Sequence, residues 1–184
     1  MTVHTIGHST RTFDDFLALL RCHGIAAVAD VRRFPGSRRH PHFSSDALSA
    51  SLAREGLGYV WLEALGGRRH GRPDSPHGAW RNAAFRAYAD HMDGAEFRAG
   101  LDALLRLAAE RPIAVMCAEA VPWRCHRQLI ADALTARGVE VRHVTGPGAA
   151  DVHRLTSFAR LDGTCVVYDG GQPALASRAR RDPP

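Results

Sequence analysis

Gly24-Ile25-Ala26-Ala27-Val28-Ala29-Asp30-Val31-Arg32 is the stretch whose reading decides the fold. From Ile25 to Val31 it is apolar apart from Asp30. A run this short, opened by a glycine, reads as a buried strand rather than a helix. Asp30 and Arg32 then mark the strand's C-terminal end, where a polar residue needs a reason to be.

Outward from this strand, helix and strand alternate. Upstream, Val3–Ile6 is a short apolar strand that stops at Gly7, and Ser9 or Thr10 is placed to cap a helix through Phe13, Phe16, Leu17 and Leu20 that Gly24 ends. Downstream, Phe34–Phe43 is a loop rich in Pro, Arg and His. Ser44 or Ser45 then caps a helix carrying Leu48, Leu52 and Ala53, which stops at Gly56–Gly58. Tyr59–Leu62 is a third strand, and Gly66 to Gly78 is a long Gly, Pro, Arg and His loop. Helices are predicted near Asn82–Met92 and Ala95–Glu110, a fourth strand over Ile113–Met116 ending at Cys117, a helix over Cys125–Arg137 and a fifth strand over Val139–Val144.

Such alternation predicts an α/β fold, a three-layer sandwich with a mostly parallel central sheet. After Gly146 the pattern changes. Ser157–Leu161 and Cys165–Tyr168 flank Asp162-Gly163 and read as a small C-terminal β-hairpin. The expected organisation is an α/β core domain over residues 1–146, a C-terminal extension with the hairpin over 147–173, and a disordered tail over 174–184.

Composition sets limits. Of 184 residues, 45% are apolar and 23% charged, which excludes fibrous and disordered classes. No apolar run approaches the roughly 20 residues that span a bilayer, and Met1–Ser9 lacks a basic segment and a long apolar one. These readings point to a cytoplasmic chain without membrane association, its four cysteines (Cys22, Cys117, Cys125, Cys165) kept reduced. The formal net charge is +5, and every fixed cationic side chain is an arginine. Arginine-rich codon usage accounts for that count, so composition permits anionic partners without demanding one.

Three polar clusters occupy the same place in the repeating unit. Gly7-His8-Ser9 follows the first strand, Asp30-Val31-Arg32 ends the second, and Cys117-Ala118-Glu119 follows the fourth. In an open parallel sheet all three meet at the C-terminal edge, where ligands bind, so His8, Asp30 or Arg32, and Cys117 are expected to share one crevice. Cys117 is a candidate nucleophile or metal ligand, its thiol pKa expected to fall beside a helix N-terminus and Arg124 and Arg127. Taken alone, it also reads as a small core residue. His126 and Glu119 are candidates for proton transfer, and His8 for a catalytic role. Ser9, Asp30, Arg32, Arg38, Arg39 and Arg127 are candidate substrate-binding residues, with Arg32 and Arg127 as anion clamps. Asp30 and Arg32 also read simply as a structural ion pair. Cys117, Cys125 and His126 are the candidate set for zinc or iron, although the spacing lacks the close pairing of a zinc knuckle.

Two loops are strongly basic: residues 32–42, with Arg32, Arg33, Arg38, Arg39, His40 and His42, and residues 68–72, with Arg68, Arg69, His70 and Arg72. Trp61, Trp80 and Trp123 offer stacking surfaces beside them. Truncating Arg38, Arg39, Arg68 or Arg69 is expected to cost little stability, about 0.5 kcal/mol or less each, because all four lie in loops.

The motifs, taken in order, resemble one family. Thr5-Ile6-Gly7-His8-Ser9, Asp30-Val31-Arg32 with Phe34-Pro35 and Ser37, Leu65-Gly66-Gly67, Met116-Cys117-Ala118-Glu119 and Cys125-His126-Arg127 look like the bacterial and archaeal domain-of-unknown-function family 488. His153 and Leu155–Ala159 resemble its C-terminal segment. This resemblance implies the fold and carries no assigned reaction. A more distant resemblance in layout is to rhodanese-like domains, which pair an Asp-Val-Arg strand end with a Cys ending a later strand. This chain departs from them in the loop after Cys117.

The leading expectation is a cytoplasmic enzyme that acts on an anionic substrate, phosphate-bearing or nucleic-acid-related, through Cys117 with His126 and Glu119. One alternative is a non-catalytic nucleic-acid-binding accessory protein that uses the two basic loops. The other is a zinc- or iron-dependent enzyme ligated by Cys117, Cys125 and His126. A homodimer is compatible with all three.

Overall fold

Five strands run parallel: β1 (Thr2–Gly7), β2 (Ala27–Asp30), β3 (Gly58–Trp61), β4 (Ile113–Cys117) and β5 (Glu140–Val144). In this computed structural model, which describes residues 1–36 and 39–171, they form a sheet of order β3-β2-β4-β1-β5. A two-residue antiparallel strand, β6 (Asp151–Val152), borders β5. It is too short to leave a periodic signal in sequence. The expected tail over 174–184 and candidate Arg38 lie outside the described residues.

Helices α1 (Phe13–Cys22) and α2 (Ser45–Arg54) cover one face of the sheet, and α3 (Ala83–Met92), α4 (Ala95–Glu110) and α5 (Arg127–Ala136) the other. The strands alternate accordingly. Val3, Ala27, Ala29, Ile113 and Val115 pack toward α3–α5, while Ile6, Val28, Ala114 and Met116 pack toward α1 and α2. This is the expected three-layer sandwich. No helix among the described residues is long and apolar enough to cross a membrane.

The cap of α1 corrects the sequence reading. Thr12, not Ser9 or Thr10, accepts the Asp15 backbone N–H at 3.1 Å, and its hydroxyl donates to the Asp15 carboxylate at 2.8 Å. Ser9 is thereby left in the connection, at φ +50°.

The hairpin is present as β7 (Arg160–Asp162) and β8 (Cys165–Val167), and Gly163 turns it at φ +59°. Ala159, Val166 and Tyr168 join the core beneath α5. A buried polar chain ties this extension to the sheet. The Thr5 hydroxyl meets His143 Nδ1 at 2.7 Å, His143 Nε2 meets His153 Nδ1 at 2.9 Å, and His153 Nε2 meets Asp132 Oδ1 at 2.8 Å. Asp132 also accepts from the Thr156 hydroxyl, the Thr156 N–H and the Tyr168 hydroxyl.

Candidate functional site

The three polar clusters do meet at one edge. β4 lies between β2 and β1, with Asp30 in register with Met116 and Gly7 with Cys117. Backbone bonds extend the pairing beyond the strands, from His8 N–H to the Cys117 carbonyl and from Ser9 N–H to the Ala118 carbonyl, both at 3.0 Å. Residues in register point to the same face of a sheet, and their neighbours to the opposite one. Cys117 therefore faces α5, while Asp30 and His8 face α1 and α2. The single crevice expected from sequence is two adjoining clefts on opposite faces of one edge.

The cleft on the α5 side encloses about 450 Å³ and has Cys117, Cys125, His126, Tyr88, Arg68 and Arg124 among its walls. Its neighbour, about 440 Å³, includes His8, Ser9, Arg39 and His40. Arg32, Phe34, Gly36, Ala118 and Glu119 border both. The two non-glycine residues with positive φ among the described residues, Ser9 and Arg68, stand one in each wall.

In the first cleft, Cys117 Sγ lies 2.7 Å from Cys125 Sγ. Both residues are buried, and both are free thiols. Cys125 lies two residues before α5, where the Arg127 N–H donates to its sulfur at 3.5 Å, and the Glu119 N–H donates to Cys117 at 3.4 Å. His126 Nε2 sits 2.9 Å from the Val31 carbonyl. A carbonyl only accepts, so Nε2 carries the proton and donates it. Nδ1 then faces Cys125 Sγ at 3.5 Å. The ring is held between Tyr88, whose ring centre is 5.0 Å away, and Gly67. A methyl group on Gly67 would stand 3.0 Å from His126 Nδ1.

Beneath the thiols lies Arg127, 1% exposed. It donates to the carbonyls of Glu119 and Ala120, its Nε has no partner, and no carboxylate among the described residues pairs with it. A guanidinium stays charged at any physiological pH. The ionisable groups that favour its charge are the two thiols. Burial and then the hydrogen bond and charge of Cys125 push the Cys117 thiol well up. Burial also opposes ionisation of Cys125, but the hydrogen bond from Cys117 and the neighbouring His126 and Arg127 outweigh it and hold Cys125 well below the ordinary thiol value. Burial holds up the thiol expected to be lowered, Cys117, and the lowering falls on its neighbour Cys125.

The remaining candidates divide by position. Asp30 is fully buried and both its oxygens are taken, by Arg32 Nε and Nη2, the Arg32 N–H and the Tyr59 hydroxyl. It holds Arg32 and does not line either cleft. Arg32 faces both clefts, its Nη1 3.4 Å from His8 Nε2. His8 Nδ1 donates to the Ser9 carbonyl at 2.9 Å. Burial and then the charge of Arg32 bring the His8 pKa down to about 4, so the ring is neutral at pH 7 and accepts from Arg32. Arg127 lies under the floor rather than on the wall, which corrects its expected role as a substrate clamp. Glu119 contributes backbone to the floor while its side chain is exposed.

The donor atoms of Cys117, Cys125 and His126 do not form a group within 4.8 Å of one another; among the described residues that test is met by His77, Asp90 and Asp93. There the Arg72 guanidinium already supplies the positive charge, 2.9 Å from Asp93 and 3.6 Å from Asp90.

A family model described as "Domain of unknown function DUF488" matches residues 12–134. The chain belongs to this family. No curated protein and no solved structure matches it. Several residues of this DUF488 chain that build the site carried no signal of their own in sequence. Tyr88 reads as one more core aromatic of α3. Cys125 was legible only as a metal candidate, Arg68 only as a member of the basic loop 68–72, and Arg124 only as a charge near Cys117.

Proposed function

We propose that this DUF488 protein is an enzyme that acts on a small anionic substrate, with the Cys125 thiolate as the attacking sulfur. The observation that carries this reading is the buried guanidinium of Arg127, whose counter-charge comes from the Cys117–Cys125 pair. A thiolate is the nucleophilic form of cysteine, and a helix N-terminus, a cation and an imidazole are what favour it. His126 Nδ1 is placed to take the Cys125 proton and return it to a leaving group. Arg32, Arg68 and Arg124 form a positive wall that suits a phosphate or carboxylate. Cys117 Sγ lies 2.7 Å from the attacking sulfur. A compartment that keeps thiols reduced, such as the cytoplasm, suits this chemistry.

The test is protection. A nucleoside phosphate or inorganic phosphate that occupies the cleft should slow alkylation of Cys125 in wild type and fail to do so in an Arg68→Ala/Arg124→Ala variant. Equal protection in both, or none in either, removes the anion cleft from the proposal.

A second reading has its own support. Phe34 and Trp123 are 66% and 62% exposed, and Trp61 is also exposed beside Arg32. Aromatic faces interleaved with arginines are what single-stranded nucleic acid stacks on.

A further inference from the structure

We infer that Cys117 and Cys125 form a dithiol–disulfide redox couple whose oxidant is a low-molecular-weight disulfide bearing carboxylates. This inference rests on the reading of the cleft as an anion site and extends it to a substrate class.

The juxtaposition carries it. Two free thiols 2.7 Å apart at the floor of an open cleft have their sulfurs within reach of a bond. They come from separate segments, the end of β4 and the turn just before α5, with residues 118–124 between them. A nucleophile that acts alone has no use for a second sulfur at that distance, whereas a resolving thiol belongs there. The cleft mouth carries Arg68 and Arg124 as fixed cations, which select a carboxylate-bearing partner over a neutral one. Tyr88 and Phe85 line the same cleft and leave room for an aliphatic disulfide.

The exchange balances without any further reagent. The Cys125 thiolate attacks one sulfur of the disulfide, forming a mixed disulfide and expelling one thiolate. The Cys117 thiol, giving its proton to water, attacks the Cys125 sulfur, forming the Cys117–Cys125 bond and expelling the second thiolate. The protein is oxidised by two electrons and one disulfide becomes two thiols.

Exposed Cys22 and Cys165 would also react, so the test uses the full chain with Cys22→Ser and Cys165→Ser. Treated with oxidised glutathione, it should lose both free thiols and end lighter by two hydrogen atoms, with no glutathione retained, and dithiothreitol should reverse this. Cys117→Ser in that background should retain one glutathione on Cys125. Cys125→Ser should react about tenfold more slowly or less, because the thiolate is the attacking species. Two retained glutathiones, or two thiols that stay free while circular dichroism shows the native fold, would overturn the couple. Comparison with neutral hydroxyethyl disulfide separates the two claims. If the couple forms equally fast with both oxidants, and Arg68→Ala/Arg124→Ala changes neither rate, the anionic substrate class fails while the couple stands. If phosphate protection holds but no disulfide forms, the couple fails and the anion cleft stands.

Discussion

Cys125 Sγ stands 3.5 Å from Nδ1 of His126, and the bond from His126 Nε2 to the Val31 carbonyl fixes that orientation. The imidazole of one residue thus serves the thiol of the residue before it, with the ring tied to the residue that follows β2. Cys125 should therefore alkylate at pH values well below the free-thiol midpoint of about 8.5, while Cys117 stays protonated and slow. In His126→Gln the Cys125 profile should move upward. Residue-resolved mass spectrometry after iodoacetamide pulses across a pH series reads both sites at once. A free-thiol profile at Cys125 in wild type would contradict the thiolate assignment.

Gly7 and Gly67 should respond differently to a methyl group. At Gly7 it would sit 1.8 Å from the Glu119 carbonyl oxygen, a backbone atom that cannot swing aside. Gly7→Ala should lower stability by about 1–3 kcal/mol, the ordinary cost of forcing extra volume into a packed site. At Gly67 the nearest atom is His126 Nδ1 at 3.0 Å, the end of a rotatable side chain. Gly67→Ala should leave the denaturation midpoint nearly unchanged yet slow Cys125 alkylation, because the ring must tilt. The converse pattern in denaturant titrations would show that the ring is not held as described.

The parallel sheet and the shared edge of the three motifs were legible because buried strands and their glycine and proline boundaries leave a local record. Helix α4, Ala95–Glu110, matches the apolar periodicity end for end. What was not read is which face each residue takes, although the information is present. Period-two alternation along Ala27–Asp30 and Ile113–Cys117 already separates Asp30 from Cys117. The polarity of the thiol pair was not legible in any form, since it depends on Cys125 meeting Cys117 across a turn and on the neighbouring His126. Nor was the chain from Thr5 to Asp132. Its only trace is a carboxylate on an otherwise apolar face of α5 and a histidine inside β5.

That chain gives a pH prediction. Burial, then the charges of His153 and Arg127, hold the His143 pKa at about 4, against 6.5 in an unfolded chain. His8 is lowered to about 4 as well, first by burial. Below pH 6.5 the unfolded state binds protons that the folded state refuses, so stability falls as pH drops from 6.5 toward 4 and levels off below that. His143→Gln should flatten part of this decline. Asp132→Ala should be severe at neutral pH, about 3 kcal/mol or more, because it strips the acceptor from His153, Thr156 and Tyr168 together. Urea titrations at pH 7.5 and 4.5 test both; a wild type equally stable at the two values would refute the first.

Arg68 and Arg69 are neighbours with opposite assignments. Arg69 donates to the carbonyls of Glu63, Ala64 and Gly66 and pairs with Glu96 at 3.1 Å, which makes it a clamp for the loop that carries Gly67. The small cost expected for Arg38, Arg39, Arg68 and Arg69 alike therefore does not extend to Arg69. Arg69→Ala should lower stability by about 1–3 kcal/mol through unsatisfied carbonyls. Arg68→Ala should stay within about 0.5 kcal/mol and weaken anion protection instead. Midpoints in the reverse order would remove Arg68 from the cleft wall.

The two functional readings differ most in how binding responds to salt. A nucleic acid that runs across both clefts would place successive phosphates near Arg39, Arg32, Arg68 and Arg124, with bases on Phe34 and Trp123. Each neutralised phosphate of a single strand adds about 0.7 to the slope of log affinity against log salt. Arg124→Ala or Arg39→Ala would then flatten that slope by about one contact each, and Trp123→Ala would weaken binding by about 1–3 kcal/mol. A small anion is held by one cleft at most. Its affinity should fall gently with salt, should not rise with oligonucleotide length, and should be indifferent to Arg39 and Trp123 while depending on Arg68 and Arg124. We expect the second pattern, because the thiol pair opens only into the α5-side cleft and a strand crossing to the other face gains nothing from it. Titrations of labelled single-stranded oligonucleotides of increasing length, beside a nucleoside phosphate, at several salt concentrations decide the matter. Affinity that climbs with length and collapses with salt would give the protein to the nucleic-acid reading.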